Sequence, residues 1–218
     1  MTRRGWRPRT LRWRVYLIVG SLLVLLLVTA GATTAVRLHV TSVGHRLSGT
    51  LRPAQTAASV LAEAYIDEET GERGFLLTRD PAFLRPYYQG ESTASRSTAH
   101  LLDLFANDLR TMAMLTGVRD GAAAWRSQAI DPELTAFERG TLDGPQLVDS
   151  VGRGKELFDT LRSRLTLLED RIDSLVSAAL QDSSAAQRVA NNVTIAAAVA
   201  AVLLAGVAAW QLRTSFAM

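Results

Sequence analysis

The sequence predicts an all-α membrane protein in which two transmembrane helices flank an extracytoplasmic antiparallel four-helix bundle. Three observations predict it. Two uncharged apolar stretches run from Val15 to Val36 and from Val189 to Leu212, each bounded by arginine at both ends. Between them apolar residues recur at steps of three and four, and strand-like alternation occurs nowhere. The 48% hydrophobic content of the 218 residues exceeds what one soluble helical domain needs, and the excess sits in those two stretches. Each is long enough to cross a hydrocarbon core of ~30 Å at ~1.5 Å per residue.

Charge sets the orientation. Arg3, Arg4, Arg7, Arg9, Arg12 and Arg14 crowd the start with no acidic residue among them. Setting aside these six and Arg213 leaves 17 basic residues against 21 acidic ones between the stretches, a net charge of −4, although the whole chain carries +3. The basic start therefore reads as a positive-inside signal rather than a nucleic-acid interface, and no nucleic-acid partner is expected. Trp6, Trp13, Tyr16 and Trp210 suit an aromatic belt at the same membrane face. The expected organisation is a cytoplasmic basic N-terminus at 1–14, a first span at 15–36 and an extracytoplasmic helical domain at 37–190. A second span at 191–212 and a short cytoplasmic tail at 213–218 follow. The chain is then a multi-pass protein of the cell (plasma) membrane, with the lipid bilayer as its first partner and both termini cytoplasmic. A cleaved signal peptide ending at Ala30, Gly31 and Ala32 competes for the first stretch, but the apolar run outlasts a typical h-region of ~7 to 15 residues.

Within the middle segment, Val43, Leu47, Leu51, Ala54, Ala58, Leu61 and Tyr65 mark one helix face, which Pro53 kinks without ending. This helix should stop near Thr78, where Asp80 offers an N-cap and Pro81 a first helical position. A second helix is expected through Leu84, Tyr87, Leu101, Leu104, Phe105, Leu109 and Leu115, ending near Gly117. A third runs from about Val118 to Arg139, restarted by Asp131-Pro132, and Asp143-Gly144-Pro145 forms a turn. The fourth carries an uninterrupted seam through Phe158, Leu161, Leu165, Leu168, Ile172, Leu175 and Ala179. Short turns between long amphipathic helices make neighbours antiparallel, hence an up-down-up-down bundle.

The run from Tyr65 to Thr78 contains Asp67, Glu68, Glu69-Thr70-Gly71, Arg73-Gly74 and Phe75-Leu76-Leu77-Thr78, followed by Phe83-Leu84-Arg85-Pro86-Tyr87. This stretch resembles the CHASE-type extracellular sensory domain of the third subclass. Trp125 and the run from Gly154 to Arg162 also match family positions, so the resemblance extends from one span to the other. It implies a four-helix input module that, in relatives, feeds histidine kinases, diguanylate cyclases, adenylate cyclases or chemoreceptors. Gln211 to Met218 hold no phosphoacceptor region or nucleotide site, so a cytoplasmic output domain or partner protein is expected to lie outside these residues.

The candidate site is the signature itself: Asp67, Glu69, Thr70, Gly71, Arg73, Gly74, Tyr87 and Trp125. Glu69 and Arg73, four apart with the acid first, form a favourable helical pair. Glu68 and Glu72 continue the apolar frame, so a carboxylate is expected to point into the bundle, needing Arg73, Arg79 or a helix N-terminus as partner. The cluster reads either as a polar network fixing helix register or as a ligand contact. Gly71 and Gly74 cost roughly 1 kcal/mol each in a helix against alanine, which close approach of a neighbouring helix would offset. Tyr87 reads as a packing residue and Trp125 as a core anchor. Ala197, Ala201, Ala205 and Ala209 recur every four residues in the second span, either as a packing stripe or as apolar filler.

Other chemistry is not expected. His39, His45 and His100 show no ligand spacing, cysteine is absent, and no phosphate loop or nucleophile motif occurs. Neither cofactor nor enzymatic activity is expected. The leading expectation is a homodimeric sensory input for transmembrane signal transduction, as in two-component systems, responding to an unidentified small-molecule or protein stimulus. The alternative is an accessory or structural membrane protein whose ectodomain binds another envelope protein.

Overall fold

A computed structural model describes residues 9–141 and 144–216; Arg3, Arg4, Trp6, Arg7 and Asp143 lie outside the described residues. The described chain is helical almost throughout: α1 (Arg9–Arg46), α2 (Arg52–Thr78), α3 (Leu84–Leu104), α4 (Leu109–Trp125), α5 (Asp131–Glu138) and α6 (Gly144–Phe216). Among these residues there is no strand, as the sequence pattern predicts. The chain divides into two units, one covering 45–178 and the other the residues up to Gly44 with those from Ala179 onward.

Two prolines are absorbed rather than obeyed. Leu47–Leu51 and Arg126–Ile130 are π-helical turns, in which Arg52 N donates to Leu47 O and Asp131 N to Arg126 O. Pro53 and Pro132 follow directly. A proline ring crowds the carbonyl four residues back and lacks an N–H, so widening the turn just before it relieves the crowding while the helix continues. The expected restart at Asp131-Pro132 is thus a bulge, and α4 and α5 run on from one another.

The junction after α2 follows the sequence signals. Arg79 closes the helix at φ 59°, and Asp80 Oδ1 accepts from Ala82 N at 2.9 Å above Pro81. The next junction corrects the expectation of a second helix reaching Gly117. α3 ends at Leu104, Phe105 turns into the core, and Asp108 Oδ1 caps α4 by accepting from Thr111 N at 3.1 Å. That turn holds neither glycine nor proline, and the aspartate cap alone marks it.

Pair positions establish the topology of the 45–178 unit. Gly71 meets Tyr87 and Phe83 while Gly90 meets Ala64, so α2 and α3 are antiparallel. Arg171 bonds Asp108, Arg164 bonds Gly117 and Phe158 stacks on Trp125, so α4 and α6 are antiparallel. Glu68 meets Arg126 and Phe75 meets Phe137, so α2 runs parallel to α4 and α5. This is the up-down-up-down bundle. Leu51, Leu61, Leu101, Leu115, Val118, Trp125, Ile130, Leu161, Leu168 and Ile172 fill its centre, each large aliphatic contributing roughly 1.5 to 3 kcal/mol by burial. The α6 seam is buried from Phe158 to Ile172, and Leu175 is half-exposed.

In the other unit many large apolar side chains face outward. Val19, Leu23, Leu26 and Leu27 of α1 and Val199, Val202 and Leu203 of α6 are all more than half exposed. Among the described residues two helices are long and apolar enough to cross a membrane, and their most apolar windows have nothing buried within the protein. Lipid is the environment that suits such surfaces. One polar contact in this unit joins His39 Nε2 and Asp182 Oδ2 at 3.1 Å.

Candidate functional site

The middle of α2 turns three successive carboxylate positions toward the bundle, and each finds a different solution to burial. Leaving water costs a carboxylate several kcal/mol unless partners replace the lost solvation.

Glu68 is fully buried and is held by Arg126, whose Nε and Nη2 donate to Oε2 and Oε1 at 2.7 Å each. The fork of a guanidinium matches a carboxylate in this way, which fixes geometry as well as charge. Burial pushes the Glu68 carboxyl up, and the bonds from Arg126 pull against it. The same guanidinium lies 5.6 Å from the Tyr65 ring centroid. Gly90 of α3 closes the back of this pair: a Cβ there would stand 2.5 Å from Ala64 O and 2.8 Å from Glu68 Cγ.

Glu69 lies at the bundle edge, its side chain 12% exposed. Arg73 Nη2 reaches its Oε1 at 2.7 Å, and Arg162 Nη2 from α6 stands 3.6 Å from Oε2. Arg162 also lies over the Phe158 ring, which packs against Trp125.

Glu72 and Glu133 are both buried and line the same small cavity. Among the described residues neither forms an ion pair. Glu72 is pushed up to about 9, first by burial and then by the neighbouring Glu133 carboxyl. Glu133 Oε1 has no hydrogen-bond partner and borders a cavity of about 20 Å³ between α2, α5 and α6.

The signature residues singled out from the sequence divide among three places of the bundle. Glu69, Arg73 and Trp125 border the cavity. Gly71, Gly74 and Tyr87 form the α2–α3 contact, where a Cβ on Gly71 would sit 2.7 Å from Tyr87 N and one on Gly74 would strike the Phe83 ring. Tyr87 is buried, which pushes its hydroxyl up. Asp67 and Thr70 are exposed, Asp67 beside a surface groove it shares with Arg85, Tyr88 and Arg96. In the other unit Ala197 and Ala201 are half-buried while Ala205 and Ala209 are exposed.

The expected partners of Glu68 and Glu72 are corrected. Neither Arg73 nor Arg79 meets them: Glu68 takes Arg126 and Glu72 takes Glu133, because both α2 carboxylates face the α4–α5 bend while Arg73 faces out. Arg79 instead lies over the Phe137 ring. The available signal for Arg126 was its place beside Trp125, and for Glu133 its place after Asp131-Pro132.

The family model for the CHASE3 domain matches residues 45–182. The chain belongs to the CHASE3 family. No curated protein and no solved structure matches it. The matched span nearly coincides with the 45–178 unit, so the CHASE3 domain is the four-helix bundle just described. CHASE3 domains are extracellular sensory modules of signalling receptors, and with two apolar helices beside it this one belongs to a membrane protein.

Proposed function

We propose that this chain is the input part of a transmembrane receptor, with its CHASE3 domain outside the cell membrane and both termini in the cytoplasm. It acts as a homodimer. A small-molecule or protein stimulus alters packing in the bundle, and α6 passes the change inward to a cytoplasmic output domain or partner.

The observation that carries this reading is α6, a single helix of 73 residues from Gly144 to Phe216. Its earlier part supplies the buried seam through Leu161, Leu165 and Leu168, and its later part the exposed apolar side chains of Val199, Val202 and Leu203. Transmission needs an element with two discrete positions. A helix packed through a regular seam can slide or rotate between neighbouring registers, and no break in α6 would absorb that movement. The small-residue stripe at Ala197, Ala201, Ala205 and Ala209 supports close approach of a second helix within the membrane.

Reporter fusions after Thr10, Gly121 and Met218 test the topology. Gly121 should report outside and the other two inside; an outside report from either terminal fusion sinks the reading. Because the sequence has no cysteine, single cysteines at Ala197 or Ala201 test the dimer. They should crosslink two copies in native membranes, while no crosslink along the whole stripe would remove the homodimer.

A further inference from the structure

Among the described residues, Glu68, Glu72 and Glu133 are acidic side chains almost completely buried in the bundle, and of these three Glu68 alone has a cation bonded to it. Glu68 has Arg126. Glu72 and Glu133, 4% and 3% exposed, have each other. Two ionised carboxylates side by side at one small buried cavity would repel strongly in a water-poor interior, and neither would have a proton to donate. One proton between them resolves both problems: it removes one charge and supplies the donor.

We propose that Glu72 and Glu133 form a proton-binding site that holds one proton per chain at neutral pH. The ligand is the proton itself, shared by one carboxyl from α2 and one from α5. Glu133 Oε1, unpartnered and facing the small cavity, is the place where a change of protonation can be accommodated. A cavity of about 20 Å³ has room for one water molecule.

The surrounding charges favour a proton over a metal cation. Arg73 from α2 and Lys155 from α6 border the same cavity as Glu69, Glu72 and Glu133. Arg162 of α6 stands behind Glu69, and α3 brings Tyr87 against Gly71, one residue before Glu72. Lys155 Nζ is bonded to Asp159 at 2.5 Å and Arg73 to Glu69. Both cations are paired with other carboxylates, yet their positive ends border the cavity and oppose the entry of a further cation. Among the described residues no group of three or more potential ligands could hold a metal ion.

The sign of the linkage follows from the direction of the shift. Glu72 is raised from 4.5 to about 9, so between those values the folded chain binds a proton that the unfolded chain has released. The stabilisation is complete below about 4.5 and is lost as pH rises through about 9. Within that window the folding equilibrium changes by roughly tenfold per pH unit for each proton bound. The inference stands whether or not the chain transmits a signal.

Infrared spectra and melting curves of the full chain in detergent micelles test it. At pH 7 the parent should show a carboxylic-acid carbonyl band that disappears at pH 10, is missing from Glu72→Gln, and in Glu133→Gln, where burial still acts on Glu72, disappears at a lower pH than in the parent. Glu72→Gln should also lose, relative to the parent, about one proton's worth of the slope of stability against pH between pH 5 and 9, and Glu133→Gln part of it. No acid band in the parent at pH 7, or variants retaining the full slope, would overturn the site. The parent's own band decides the matter even if a variant does not fold.

Discussion

Arg126 crosses from the π-helical turn after α4 to the centre of α2 and grips Glu68 with two hydrogen bonds of 2.7 Å. The carboxylate it holds is fully buried, while the guanidinium keeps 22% of its side-chain surface exposed. The pair therefore joins α2 to the α4–α5 bend through a contact with one good geometry, unlike the apolar contacts around it.

Removing Arg126 leaves a carboxylate in the core without its partner. Arg126→Ala should cost ~3 to 5 kcal/mol, and adding Glu68→Leu should recover part of that loss because the stranded charge goes too. Melting or denaturant curves of the full chain in detergent provide the cycle; additive losses would mean that the two residues are not coupled.

Arg73 should behave differently, although it belongs to the signature. It is nearly half exposed, and Glu69 keeps Arg162 when Arg73 is removed. Arg73→Ala should cost under ~1 kcal/mol, the ordinary value for an exposed ion pair. A loss above 2 kcal/mol would show that Arg162 does not serve as the second cation.

Within the seam, neighbouring leucines separate core from surface. Leu168 is fully buried and Leu167 is 59% exposed. Leu168→Ala should cost ~2 to 5 kcal/mol and Leu167→Ala under ~0.5 kcal/mol. Equal effects would place the α6 face elsewhere.

Two glycines should respond in opposite directions to alanine. At Gly71 the added Cβ would come within 2.8 Å of backbone atoms of both Tyr87 and Phe83, so α3 must move. Gly71→Ala should lower the melting temperature despite alanine's better helix propensity. Gly117, inside α4, has nothing within 4 Å of an added Cβ, so Gly117→Ala should gain up to ~1 kcal/mol. Stabilisation at both positions would mean that α2 and α3 are not in close contact.

Much of the bundle was legible because its rules are local. The seam from Phe158 to Ile172, the Asp80-Pro81 cap and the close approach at Gly71 and Gly74 each follow from spacing, a single side-chain bond or a missing Cβ. The turn at Phe105 was hidden because its apolar spacing continues across it. Only the Asp108 cap, without glycine or proline, interrupts the helix there.

By itself the sequence determined that α2 would bury carboxylates, since Glu68 and Glu72 fall in the apolar frame of Ala54, Ala58, Leu61 and Tyr65. Helical periodicity depends only on positions a few residues apart, so it can be read directly. Which groups would compensate those charges was decided by tertiary structure alone. Arg126 lies 58 residues from Glu68 and meets it because two antiparallel turns return the chain parallel to α2. Arg73, closer in sequence, faces out, while Glu133 arrives with a like charge instead of a cation. Pairing across a bundle depends on the relative phase of helices that share no local constraint. That phase is set by the packing of Trp125, Phe158 and the leucine core as a whole.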